Sequence, residues 1–156
     1  MPLVTKHRIH EDRRRLRILL AEDNAVHQTL AVRLLEKRGY NVTVVANGRL
    51  AVEVVVKQDF DVVLTDIQMP EMDGFEATAT IRAKEKLAGT RVPIIAMTAH
   101  ALKGDEQRCI RAGMDSYVSK PIRSAELFAA IGSLTGADGP DQQLLAERES
   151  ETRPVY

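Results

Sequence analysis

A parallel α/β fold, one sheet with helices on both faces, is the class that this sequence predicts. Two observations predict it. Five strand-length apolar runs alternate with amphipathic stretches of helical length. At least three of the runs are continuously apolar rather than alternating, as expected of strands covered on both sides.

The elements follow in order. RILLA (Arg17–Ala21) is the first strand. A helix follows over Asn24–Arg38, where Val26, Leu30, Leu34 and Leu35 share one face and Gly39 supplies the left-handed C-terminal stop. VTVVA (Val42–Ala46) is the second strand, and residues 48–57 form the second helix. DVVLTD (Asp61–Asp66) is the third strand. In MPEMDG after it, Pro70 stiffens the loop and Gly74 permits a tight turn, before a helix over Phe75–Lys86. VPIIAMT (Val92–Thr98) is the fourth strand and Leu102–Ala112 the fourth helix, closed by Gly113. SYVSK (Ser116–Lys120) is the fifth strand, and Ser124 is expected to cap a last helix over Ala125–Leu134.

The bulk properties narrow the function classes. A chain of 156 residues suits one domain with tails, and 44% apolar residues are enough for a core. A net charge of zero argues against nucleic acid as the main partner. No window approaches the roughly 18 apolar residues of a membrane span, and the N-terminus lacks the apolar segment of a signal peptide. One cysteine, Cys109, excludes an internal disulfide and fits a cytoplasmic location; beside Ile110 on a helix it reads as structural. Lys6, Arg8, Arg13, Arg14, Arg15 and Arg17 face only Glu11 and Asp12, so residues 1–15 read as a basic linker. From Thr135 the chain turns polar, with Gly136, Gly139 and Pro140 breaking structure and one helical turn expected near Leu144–Glu147. The expected division is 1–15 linker, 16–134 domain and 135–156 tail, with no output domain after it.

Ligands of open α/β sheets bind beyond the carboxyl ends of the strands. There the first strand ends in Glu22 and Asp23, the third in Asp66, the fourth in Thr98 and the fifth in Lys120. Three neighbouring carboxylates repel, so one holds a proton or a cation sits among them. An all-oxygen set suits Mg²⁺ or Mn²⁺, which bridges readily to phosphate. A lysine and a hydroxyl beside the metal complete a set of groups for phosphoryl oxygens. A carboxylate can itself be the nucleophile, and positioning with charge neutralisation supplies most of phosphoryl-transfer catalysis. The cluster thus predicts metal-assisted, reversible phosphorylation of an aspartate.

ILLAEDN, VVLTDIQMPEMDGFEATATIR, VPIIAMTAHA and DSYVSKPI resemble the receiver domain of two-component response regulators, most of all the receivers of hybrid sensor histidine kinases. The resemblance covers Arg17 to Ile131 and implies a flavodoxin-like (βα)5 doubly wound sheet of strand order 2-1-3-4-5. It implies that Asp66 is the phosphoacceptor, that Asp23 binds the metal directly and Glu22 largely through water, and that the Gln68 backbone carbonyl is a further ligand. Thr98 would donate to a phosphoryl oxygen and Lys120 would pair with it, or with Asp66 in its absence. Tyr117 occupies the switch-aromatic position, and the Lys120–Pro121 bond is expected to be cis. Gln68 and His100, two residues past Asp66 and Thr98, are expected to tune the lifetime of the phosphorylated state.

The implied partner is a histidine kinase or histidine phosphotransfer domain, with the parent chain a hybrid histidine kinase, of a kind that can be membrane-anchored, or a stand-alone response regulator. The domain would catalyse its own phosphorylation and dephosphorylation. A haloacid-dehalogenase-like phosphatase also uses an aspartate at a strand end, but wants a second aspartate where this chain has Gln68. His27 departs from the asparagine common in hybrid-kinase receivers and reads as a neutral surface substitution, and Thr65 departs from an apolar position.

Overall fold

The computed structural model describes residues 15–99 and 103–136. Among them five strands and five helices alternate: β1 (Arg17–Ala21), α1 (Ala25–Lys37), β2 (Asn41–Val45), α2 (Gly48–Lys57), β3 (Val62–Asp66), α3 (Gly74–Ala88), β4 (Ile94–Thr98), α4 (Lys103–Ala112), β5 (Ser116–Ser119) and α5 (Ser124–Thr135). The strands form one sheet in the order β2-β1-β3-β4-β5, every neighbouring pair parallel. This is the doubly wound, flavodoxin-like order that the resemblance implied.

The alternation of side chains along each strand explains the layers. Ile18, Leu20, Val62, Leu64, Ile95 and Met97 face one way and pack with Leu35 of α1 and with Leu127 and Ile131 of α5. Leu19, Ala21, Val63, Ile94 and Ala96 face the other way and pack with Ala51 and Val52 of α2, Ala77 and Ile81 of α3 and Cys109 of α4. Each of the larger of these side chains contributes about 1.5–3 kcal/mol by leaving water. Because β1, β3 and β4 are fully covered on both sides, they carry no polar alternation, whereas edge strand β2 is only half-buried.

Helix ends follow local chemistry. Asn24 and Asn47 cap α1 and α2 by accepting from the amides of His27 and Leu50. Asp73 and Glu76 form a reciprocal capping box at the start of α3. Gly39 and Gly113 adopt positive φ, as expected. Ser124 does not cap α5: it is the first helical residue, and Arg123 occupies the cap without a side-chain bond. Gly74 also acts otherwise than expected. Its backbone is not left-handed; a Cβ there would collide with the carbonyl oxygen of Asp66, so glycine is required by close approach. The amide of Gly74 donates to the Ile67 carbonyl at 2.8 Å, which folds the loop back onto the end of β3.

At the opposite end of the sheet, Arg82 of α3 joins three elements. Its guanidinium reaches Glu85 at 2.7 Å, Asp115 at 2.8 Å and the carbonyls of Gly113 and Val92. Glu85 also accepts from the Val92 amide, and Asp115 from the Ile94 amide. This network fixes the entries to β4 and β5, and through them the strand ends at the far rim.

Candidate functional site

Parallel register brings the chemistry together. Asp66 pairs with Met97 and Thr98 with Ser119, so the ends of β3, β4 and β5 finish at one level. Just beyond the end of β1, the amide of Glu22 donates to the Val45 carbonyl at 3.0 Å, which extends the ladder by one residue and holds Glu22 at the same rim. A cavity of about 320 Å³ opens there, and Glu22, Asp23, Asp66, Gln68, Thr98 and Lys120 all line it. A second cavity, about 310 Å³ and lined by Val55, Phe60, Ile81 and Ala88, lies between α2 and α3, so size alone does not single out the site.

Lys120 is the hub. Its Nζ donates to Glu22 Oε1 at 2.7 Å and to Asp66 Oδ2 at 3.0 Å. Burial alone would lower the lysine pKa, but the two carboxylates outweigh it and raise the pKa. Glu22 is buried. Desolvation leads in raising its pKa, with the Asp66 charge acting in the same direction, against the bonds from Lys120 and the Asn24 amide. Both Glu22 oxygens are engaged, one by Lys120 and the other by the Asn24 amide at 3.1 Å. The peptide bond between Lys120 and Pro121 is cis.

Oxygens of Glu22, Asp23 and Asp66 lie within 4.8 Å of one another, with Asp23 exposed and Asp66 half-buried. This is a hard, all-oxygen donor set of the kind that suits Mg²⁺ or Mn²⁺. Thr98 is buried at the far side of the cavity, and its hydroxyl points to Asp105 Oδ2 at 3.4 Å. Tyr117 is half-buried on edge strand β5; the Glu106 carboxylate beside its hydroxyl raises the phenol pKa. Gln68 is exposed at the mouth. His100 lies outside the described residues, as do residues 1–14 and 137–156.

Three lining residues with ionisable side chains were not foreseen as part of the site. His27 is exposed, as expected of a surface position, but its Nδ1 lies 3.2 Å from Lys120 Nζ, so it is not a bystander. Asp105 and Arg108 come from α4, and Arg108 also stacks over the Phe75 ring at 4.6 Å. Of the departures noted in the sequence, Thr65 is accommodated: its buried hydroxyl donates to the carbonyl of Asp66 at 2.9 Å. Cys109 is buried, which pushes its thiol pKa up and fits a structural role.

An acid triad, a lysine and a hydroxyl thus meet at the carboxyl edge of a doubly wound α/β sheet of order 2-1-3-4-5. The family model of the response regulator receiver domain matches residues 18–132, and the chain belongs to that family. It is 41% identical over 122 residues to hybrid signal transduction histidine kinase I of Dictyostelium discoideum, which takes in 75% of this chain and 7% of that protein. It is similar to the receiver domain of sensor histidine kinase PA1611 from Pseudomonas aeruginosa PAO1, a structure with a magnesium ion coordinated in the active-site cleft (46% identity, TM-score 0.72, covering 78% of this chain and 98% of that one). It is also similar to a structure of the Saccharomyces cerevisiae histidine phosphotransfer protein Ypd1 with the receiver domain of Ssk1 (26% identity, TM-score 0.74, covering 78% and 89%). No helix among the described residues is long and apolar enough to cross a membrane.

Proposed function

We propose that residues 16–134 form a phosphoacceptor receiver, flanked by a linker over 1–15 and a tail over 135–156, and that Asp66 is the residue phosphorylated. The observation that carries this reading is the pairing of Asp66 with Lys120 at 3.0 Å, beside two further carboxylates. In the reaction, an Asp66 oxygen attacks the phosphorus of a partner's phosphohistidine. The P–O bond forms as the P–N bond breaks, and the imidazole leaves with the electron pair. Lys120 shifts from Asp66 toward the phosphoryl oxygens, and Thr98 donates its hydroxyl to another. Water later attacks the same phosphorus and returns Asp66 to its carboxylate.

The donor set fits a resident Mg²⁺ or Mn²⁺, which Asp23, Asp66 and the Gln68 carbonyl would hold directly. Glu22, with both oxygens already engaged by Lys120 and the Asn24 amide, would act through water. When bound, the metal neutralises the acids and the incoming phosphoryl charge. Tyr117 is assigned the switch role, and Gln68 and His100 the tuning of phosphate lifetime. The partner is a histidine kinase or a histidine phosphotransfer protein. Hybrid signal transduction histidine kinases I and B of Dictyostelium discoideum are among the relatives, which favours this chain as a segment of such a protein over a stand-alone regulator.

Acetyl phosphate with Mg²⁺ should give an acid-stable, base-labile phosphoryl adduct that is absent in a folded Asp66→Asn variant. An equal adduct in that variant would refute the assignment. Unchanged adduct lifetimes in both Gln68→Ala and His100→Ala would refute the tuning role.

A further inference from the structure

Arg108 of α4 lines the same cavity as Asp66 and Lys120, and transfer to Asp66 leaves it without a role. It stands three residues after Asp105, so the two share the helix face that borders the cavity. Among the described residues neither a salt bridge nor a hydrogen bond engages its guanidinium, which instead lies over the Phe75 ring, 4.6 Å from the centroid. A ring contact occupies the face of a guanidinium and leaves the N–H donors at its edges open. Phe75 is a firm support. It is half-buried against the core, and it follows Gly74, whose amide bonds the Ile67 carbonyl at 2.8 Å beside the end of β3. The charge around Arg108 is unfavourable to an anion. Glu22, Asp23, Asp66 and Asp105 all line the cavity, and Lys120 is committed to two of them. A phosphodonor brings more negative charge to this mouth, where Arg108 is the cation with open donors. Its planar fork matches two phosphoryl oxygens.

We propose that Arg108 is a specificity-determining residue that grips the phosphoryl group of the incoming donor, and that Phe75 is a positioning residue that holds the guanidinium at the mouth of the cavity. The inference rests on the reading of Asp66 as phosphoacceptor. The ligand class is a phosphoryl group on a good leaving group, whether an acyl oxygen or a nitrogen. The bond from Asp66 to phosphorus forms as the bond to that oxygen or nitrogen breaks, and the electron pair goes with the leaving atom. Arg108 reads the phosphoryl oxygens that both donors share. Its side chain is exposed, so replacing it leaves the core untouched.

Two small donors test this on the full chain: acetyl phosphate, which leaves through oxygen, and phosphoramidate, which leaves through nitrogen. The second-order rate constant for phosphorylation of Asp66 is measured in excess Mg²⁺, with thermal unfolding as the check on folding. Arg108→Gln should lower it about tenfold with both donors, the scale of one hydrogen bond to a charged group. Arg108→Lys keeps the charge but not the fork, and should recover only about threefold of that loss. Phe75→Leu leaves Arg108 in place and should cost about threefold; in the Arg108→Gln background it should cost nothing more. An unchanged rate in Arg108→Gln would overturn the proposal. Full recovery in Arg108→Lys would do the same, since charge alone would then attract the donor. A loss confined to one donor would show that the leaving group is read instead, and a Phe75→Leu loss that persists without Arg108 would remove the positioning role. Failure of the unaltered protein to take phosphate on Asp66 from either donor would overturn the functional reading as well.

Discussion

Replacing Lys120 with methionine keeps the length and most of the volume of the side chain and removes its charge. The lysine, Glu22 and Asp66 side chains are only 13%, 1% and 14% exposed, so solvent screening is weak. At an effective dielectric near 20, charges 2.7 and 3.0 Å apart attract by about 6 and about 5.5 kcal/mol respectively. Desolvation of the ammonium offsets much of this. Breaking a buried pair nonetheless costs about 3–5 kcal/mol, because the partner charge stays behind uncompensated. Lys120→Met should therefore destabilise the metal-free domain by about 3 kcal/mol, lowering the thermal midpoint by about 10 °C. A bound Mg²⁺ supplies the missing positive charge. It should bind the variant more tightly than the unaltered protein and restore much of the midpoint. Circular dichroism melts with and without Mg²⁺ read both quantities. A loss below about 1 kcal/mol, or weaker Mg²⁺ binding by the variant, would refute the view that Lys120 stands in for positive charge among these acids.

Other consequences follow from the same geometry. The Glu22 carboxyl titrates above its ordinary value of 4.5, and it attracts the metal through its water only when ionised. Mg²⁺ affinity should thus begin to fall at a higher pH than for ordinary carboxylates; a calorimetric titration series in which affinity stays constant down to pH 4.5 would contradict it. For the metal-free domain the sign is reversed: a raised carboxyl pKa favours the fold below 4.5, and this contribution is lost as pH rises through the folded-state value. Arg82→Met should cost about 3 kcal/mol by leaving Glu85 and Asp115 without their shared cation; a urea midpoint within experimental scatter of the original would count against the network. The buried Thr78 hydroxyl lacks a hydrogen-bond partner among the described residues, so Thr78→Val should stabilise by about 1 kcal/mol, and a loss of stability would contradict this. Gly74→Ala should destabilise by about 1–3 kcal/mol through overpacking against the Asp66 carbonyl.

The strands were legible because burial on both faces leaves nothing polar to interrupt them, as in VVL of β3 and IIAM of β4. Their ends were legible for the complementary reason, since Thr98 directly follows an apolar run and Asp66 follows one after the single residue Thr65. Strand order was not: periodicity says which residues are buried, not which strand lies beside which, and order entered only through the family resemblance. Ser124 misled because a good capping residue beside a helix looks the same whether it caps or begins it, and the backbone turns one residue earlier, at Arg123. The capping box of Asp73 and Glu76 stood in the sequence as an aspartate three residues before a glutamate and went unread. His27 and Asp105 left no comparable signal. Each sits inside a helix pattern, and only the crossing of α1 and α4 over the strand ends brings one to Lys120 and the other to Thr98.

Asp66, and no other carboxylate, is expected to take the phosphoryl group. Borohydride reduces an aspartyl phosphate to homoserine, so treating the acetyl-phosphate reaction and sequencing the peptides by mass spectrometry locates the acceptor directly. Homoserine is expected at position 66, with aspartate retained at position 23. Homoserine at another position, or none under conditions where Mg²⁺ binds, would contradict it.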